Sequence, residues 1–258
     1  MMLNLLLERL RQKYRTHPYP AQPPVLPERF RGRPELRALD DALIKEWEHC
    51  EKACPTGALA LRGNQPGLDM GKCLFCGLCE RESPSGLVRF TRDWRLASSY
   101  REDLVVTPLT VSPPRVDLAP ELRALFVRSF RLRQVTAGGC GACEADLNVL
   151  ATLVFDLDRF GISFVASPRH ADALVVTGPN ARNMQTALDK VDAATPDPHL
   201  VLAVGACAIS GGIFRSEANP HKANGITRQE VALYIPGCPS HPYTNLDGFL
   251  RLLGVVKL

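Results

Sequence analysis

"LVLAVGACAISGGIF", residues 200–214, decides the fold. It opens on five apolar residues with no polar alternate, the signature of a strand covered on both faces of a parallel sheet. A glycine and then Cys207 follow at once. Three other short runs read the same way: "ISFVAS" (162–167), "ALVVTG" (173–178) and "VALYIP" (231–236). "NARNMQTALDKVDAA" (180–194) and "YTNLDGFLRLLG" (243–254) have helical periodicity, and a further helical stretch is expected from Cys143 to "LVFDLDRF" (153–160). Strands alternating with helices predict an α/β parallel sheet whose ligands gather beyond the carboxyl ends of its strands. Cys207 and Cys238 both stand just past such ends, where a metal ligand is more at home than an inert core thiol.

The chain has 258 residues, 45% of them hydrophobic and 22% charged, enough for two packed domains and too apolar for disorder. A net charge of +4, without a basic run, gives no reason to expect nucleic acid. The start, "MMLNLLLERLRQKYR", breaks its apolar run at Glu8 and is not read as a secretory signal. Leu3, Leu6, Leu7 and Leu10 share one face of a helix there, a face that more often docks on protein than on lipid. No stretch approaches the ~20 apolar residues of a membrane helix. Nine cysteines in tight groups, in a chain of this length, point to metal binding in a reducing compartment and away from a disulfide scaffold. Proline-rich stretches at 17–34 and 105–122 look extended, and the second is expected to connect two halves.

The first cysteine group is "CLFCGLCERESP" (73–84) preceded by "IKEWEHCEKACP" (44–55). The bacterial ferredoxin run is Cys-x2-Cys-x2-Cys-x3-Cys-Pro, and in two-cluster proteins its fourth cysteine serves the other run's cluster. On that template one cluster takes Cys73, Cys76, Cys79 and Cys54, a complete set. The other takes Ile44, Trp47, Cys50 and Ser83, which supply one thiolate, so that site is empty by design. Trp47 and Ile44 are expected to fill the vacated space as core, with Cys50 an inert remnant. A zinc site of two Cys-x2-Cys pairs is the plainer alternative, but Cys79 at a second x2 step and Cys54-Pro55 fit iron–sulfur better.

The second group is "GGCGACEADLN" (138–148), with Cys140 and Cys143, joined by Cys207 and by Cys238 of "YIPGCPSHP" (234–242). Alone, Cys140 and Cys143 suit a redox dithiol equally well. With two single cysteines at strand ends they make four thiolates, one cubane's worth. Gly138, Gly139, Gly205, Gly211 and Gly212 let backbone approach that centre closely. Glu144 follows a ligand, where a carboxylate tunes a cluster or relays protons; it is equally the ordinary place for an acid in a helix's first turn. His221, His241 and Arg182 lie in loops near these ligands, where solvated side chains are the common case.

The segments "KYRTHPYP", "ERFRGRPE", "CEKACPTGAL" and "GKCLFCGLCE" resemble the ferredoxin-type subunit of formate hydrogenlyase and related membrane-bound hydrogenases, with one cluster lost. "GGCGACEADLN", "VVTGPNARNM", "VGACAISGGIF" and "YIPGCPSHP" resemble the small electron-transfer subunit of group-four nickel–iron hydrogenases and its relative in complex I. The x2 spacing of Cys140 and Cys143 is on the hydrogenase side, complex I subunits having adjacent cysteines there. The resemblance implies an N-terminal docking segment (1–34), an α+β ferredoxin-like single-cluster domain (35–95), a linker (96–130) and an α/β flavodoxin-like domain (131–258). It implies two 4Fe–4S clusters, on Cys54, Cys73, Cys76 and Cys79 and on Cys140, Cys143, Cys207 and Cys238. The partners it implies are a large catalytic hydrogenase-like subunit and further subunits, some in the membrane. The chain is then cytoplasmic, held peripherally at the inner membrane, transferring electrons while bond chemistry happens on other chains. A cluster subunit of a quinone-linked dehydrogenase without nickel is the second reading, and a non-redox zinc scaffold the third.

Overall fold

A computed structural model describes residues 2–215 and 225–256. An N-terminal helix α1 (Met2–Gln12) leads into an extended segment. Strand β1 (Pro34–Leu36), helix α2 (Ile44–Ala53), strands β2 (Leu59–Arg62) and β3 (Gln65–Asp69), helix α3 (Leu78–Arg81) and strand β4 (Val88–Phe90) complete the first cysteine region. β1 pairs with β4, and β2 with β3, both antiparallel. These short sheets and the two helices enclose a core of Trp47, Leu59, Leu68, Met70 and Leu87.

Residues 96–130, expected as a connection, are tightly held. Strand β5 (Val105–Val106) adds to β3, and Ser98 bridges to Tyr234 across the molecule. Leu96, Ala97 and Leu104 are buried. Prolines hide such partners from a local reading, because the ladders they leave are two residues long. Helix α4 (Pro120–Phe126) closes the stretch.

The second half is a five-stranded, all-parallel sheet of β6 (Phe130–Thr136), β7 (Ile162–Phe164), β8 (Ala173–Thr177), β9 (Leu200–Val204) and β10 (Leu233–Ile235), ordered β10-β9-β8-β6-β7. Counted within this half the order is 2-1-3-4-5, the flavodoxin-like one, with its switch point between β6 and β8. All five residues of β8 and of β9 are buried, which explains their unbroken apolar runs. Helices α5 (Ala142–Val149), α6 (Arg182–Ala193), α7 (Ala206–Ser210) and α8 (Pro242–Leu252) each follow a strand. Leu147 of α5 and Leu246, Phe249 and Leu250 of α8 pack with Leu132, Val175 and Leu202 on one face. Leu188 of α6 packs with Val135, Leu174 and Val176 on the other. The helix after Cys143 is shorter than its sequence pattern predicts. It ends at Val149, and "LVFDLDRF" is turns and a 3-10 segment, broken where Asp156 adopts φ +49°.

The halves share one joint. Ala203, Ala208 and Ile209 belong to the core of the first half, and Ser210 Oγ donates to the Gly71 carbonyl at 2.9 Å. The extended N-terminal segment is tied down too: Tyr19 OH donates to the buried Asp247 Oδ1 at 2.8 Å. Among the described residues no helix is long and apolar enough to cross a membrane. Leu7 and Leu10 of α1 are exposed. His221 lies outside the described residues.

Candidate metal centre

Cys54, Cys73, Cys76 and Cys79 line one small cavity with Pro55, Leu59, Leu68, Gly77 and Phe90. Cys54 caps the end of α2, and Cys79 lies within α3, so two short helices and the loop between β3 and α3 bring the set together. Burial pushes the Cys73 thiol far up, and the thiols of Cys79, Cys54 and Cys76 add to it. Burial, with Cys54, Cys50 and Cys76 adding to it, pushes Cys79 up to about 12. Backbone amides point at these sulfurs: Ala58 N–H donates to Cys54 Sγ and Phe75 N–H to Cys73 Sγ, both at 3.3 Å.

The residues at the template positions that lack thiolates have other partners. Cys50 is fully buried and its Sγ–H donates to the Cys79 carbonyl at 3.6 Å. Trp47 is buried as expected; Ile44 is not. It begins α2 with 42% of its surface exposed, so it is not the core residue expected. Ser83 Oγ donates to Glu46 Oε1 at 2.7 Å and accepts from Leu87 N–H at 2.8 Å. Ser85 Oγ donates to the same carboxylate oxygen at 2.6 Å. Glu46 is the residue here that sequence reasoning missed, since a helix acid carries no signal until its serine partners are in place.

The second set stands at the carboxyl edge of the parallel sheet. Gly138–Cys140 follow β6 at the switch point, Cys143 opens α5, Cys207 opens α7 and Cys238 follows β10. Burial raises Cys143 to about 12, with Glu144, Cys207 and Cys238 contributing, and Cys207 to about 11, with Cys238, Cys140 and Glu144 contributing. Burial raises Cys238 as well, and the charged neighbours that add to it are Cys140 and Cys76. Cys76 belongs to the first set. The two sets are therefore neighbours across the joint, and a cavity of about 250 Å³ beside them is lined by Phe75 from one and Gly237, Cys238 and Pro239 from the other.

Both sets fit iron–sulfur clusters. Thiols that are buried together and raise one another need a nearby cation to stand as thiolates, and a coordinated metal supplies it. The glycines leave the room that sulfur requires. A Cβ on Gly205 would lie 2.5 Å from Cys143 Sγ, and one on Gly212 2.9 Å from Cys207 Sγ. At the switch point a Cβ on Gly178 would lie 2.5 Å from the Gly139 nitrogen. Among the described residues no three Cys, His, Asp or Glu side chains lie close enough together to hold a metal ion as they stand.

Glu144 faces the second set: its Oε1 accepts from Thr177 Oγ1 at 2.7 Å, and a Cβ on Gly139 would come within 3.9 Å of it. His241 is not the solvated loop residue expected. It caps α8, its Nδ1 accepting from Tyr243 N–H at 3.2 Å, and burial holds its pKa down. Arg182 begins α6 on the exposed surface.

Residues 140–252 match the family described as NADH ubiquinone oxidoreductase, 20 Kd subunit. The chain is 36% identical over 155 residues to formate hydrogenlyase subunit 7 of Escherichia coli, covering 59% of this chain and 60% of that protein. It is 41% identical over 119 residues to an NADH-quinone oxidoreductase subunit of Desulfovibrio desulfuricans, covering 46% of this chain and 64% of that one. It is 37% identical over 120 residues to the "Probable membrane-bound hydrogenase subunit mbhJ" of Pyrococcus furiosus, covering 46% of this chain and 71% of that one. The chain thus spans less than two thirds of the length of the first two of these relatives.

Proposed function

The chain belongs to the family of the 20 Kd subunit of NADH ubiquinone oxidoreductase, and from that premise we propose that it is an electron-transfer subunit with two 4Fe–4S sites. Its setting is a membrane-associated hydrogenase or formate-hydrogenlyase-like complex. One observation carries the reading: eight of the nine cysteines fall into two sets of four, each gathered on its own side of one packed joint, with Cys76 and Cys238 as neighbours across it. A cluster at each site supplies a one-electron donor and acceptor.

The chain's own part is placement. The joint made by Ser210, Gly71 and Ile209 fixes one thiolate set against the other, so transfer between them requires no movement of domains. The N–H groups of Ala58 and Phe75 stabilise negative sulfur and so favour the reduced site. Cys140 and Cys238 are exposed, which suits a centre that meets a large catalytic subunit. The first half, residues 35–95, hands electrons to or from a redox partner. The ferredoxin-like character of that half is supported by its cysteine order and by the convergence of Cys54 with the run at 73–79.

The test is metal content after anaerobic purification. About eight irons per chain and two paramagnetic signals on reduction are expected for two 4Fe–4S sites. A content of about four removes one site, and a colourless, zinc-containing chain overturns the reading. A second reading, a cluster subunit of a quinone-linked dehydrogenase, is supported by the Desulfovibrio relative. The sequence of the co-purifying large subunit separates the two, since only a hydrogenase needs its nickel-binding cysteine pairs.

A further inference from the structure

We infer that Arg31 is a positioning residue for electron transfer: its guanidinium lies between the two thiolate sets and, through its charge, raises the potential at which the first set's site accepts an electron. The inference rests on the two-cluster reading above.

Three observations place it there. Gly77, between Cys76 and Cys79, has φ +71°, and a Cβ on it would lie 2.2 Å from Arg31 Nε, 2.7 Å from Cζ and 2.9 Å from Nη2. The guanidinium therefore rests flat against the turn that joins two ligands of the first set, and only glycine admits it. Arg31 also lines the cavity of about 250 Å³ that Cys238 of the second set lines. Cys76 and Cys238 are themselves within electrostatic reach of each other.

The charge is left largely free to act on the clusters. Its acidic neighbour is Glu80, with Arg31 Nε 3.9 Å from Glu80 Oε2, longer than a hydrogen bond. The other carboxylate oxygen of Glu80 is occupied by Phe90 N–H at 2.9 Å. The remaining charged or titratable groups lining the cavity are Arg29, Asp146 and His241. Arg29 is exposed, where solvent screens it, and Arg81 reaches the Cys76 carbonyl from an equally open position. Arg31 is half-buried beside Phe30 and Phe75, where the effective dielectric is lower. Taking up an electron makes a site more negative by one charge, and two such sites side by side repel. A cation between them favours the reduced form of both, and most of all the one it touches. The planar fork of arginine suits a flat seat on a glycine turn.

The test is a redox titration of the full chain, loaded anaerobically and followed by electron paramagnetic resonance. In Arg31→Gln the reduced-to-oxidised ratio of the first site at fixed ambient potential falls about tenfold, or 59 mV for a one-electron couple. The second site moves the same way by less, and Arg31→Lys stays near wild type. Glu80→Gln, which keeps an acceptor for Phe90, raises the potential. Equal falls in the glutamine and lysine variants, or no fall in either, overturn the inference. If Arg31→Gln cannot be loaded, Arg31→Met is titrated in its place: a fall of the same size supports the inference and an unchanged potential overturns it. Wild-type iron near four per chain sinks the underlying reading, whereas unchanged potentials with about eight irons sink the inference alone.

Discussion

Gly205→Ala tests the closest approach of backbone to a sulfur ligand. Gly205 has φ +88° and ψ 154°, a region that only glycine enters freely, so an alanine there costs about 1–3 kcal/mol in strain. The added methyl carbon would also lie 2.5 Å from Cys143 Sγ, well inside contact distance. The backbone cannot yield easily. Gly205 N–H donates to the Ile235 carbonyl at 2.8 Å, and Ala206 N–H to Gly237 at 2.9 Å. Cys143 must move instead, and a thiolate pushed aside cannot hold its corner of a cubane. Iron and acid-labile sulfide in the anaerobic protein should fall from about eight per chain to about four, with loss of one paramagnetic signal. Gly63→Ala is the control: φ is +63° and nothing lies within 4 Å of its Cβ, so it loses stability by about 1–2 kcal/mol and keeps its iron. Full iron and both signals in Gly205→Ala would falsify the claim that this strand end cradles a cluster.

Other substitutions separate ligands from the residues that replaced them. Ser83→Ala should leave iron unchanged while costing about 1–3 kcal/mol, because the buried Leu87 N–H loses its acceptor; Cys54→Ala should remove about four irons. Iron loss in Ser83→Ala would reverse the crossover assignment. Hydrogen bonds from Ser85 and Ser83 hold the Glu46 carboxyl below its ordinary value of 4.5. The folded state then binds that proton less tightly than the unfolded chain does. Its stabilisation is whole above about 4.5 and is lost as pH falls through the lower folded value. Urea midpoints of Glu46→Gln should lack that component of the acid limb, and identical limbs would rule it out. Tyr19→Phe deletes the bond to Asp247 and should cost about 1.5–3 kcal/mol in urea unfolding; an unchanged midpoint would mean the N-terminal segment is anchored elsewhere.

The parallel sheet was legible because β8 and β9 are covered on both faces, and continuous burial writes continuous apolar residues. β6, the strand at the switch point, was not. Its run "FRLRQVT" alternates buried Phe130 and Leu132 with arginines, and Arg131 reaches sideways to Asp172 at 3.3 Å. That partner is 41 residues away and invisible to local pattern. The same holds for residues 96–130, where the Ser98–Tyr234 bridge and the β3–β5 pair join positions far apart in the chain. The cysteines stand out for the opposite reason: ligand chemistry tolerates few residue types, so the close spacing at 73–79 and 140–143 and the strand-end places of Cys207 and Cys238 suggest two sets.

The vacated position shows where that logic stops. Aligning Ile44, Trp47, Cys50 and Ser83 to a ligand run says which residues replaced thiolates but not how the space is filled. An apolar plug was the natural expectation, and Ile44 at the exposed start of α2 contradicts it. Trp47 supplies bulk, and Glu46, which occupies no ligand position, gathers Ser83 and Ser85 into a polar knot. A negative side chain at this place is itself informative. A cluster ligated by thiolates is anionic, and a carboxylate beside it would oppose its reduction. Glu46 lies beside Cys50, Ser83 and Ser85, where the template leaves a single thiolate, and Arg31 lies against Gly77 in the ligand turn itself. On the two-cluster reading proposed above, the redox neighbour of the first site within this chain is the set at the carboxyl edge of the parallel sheet.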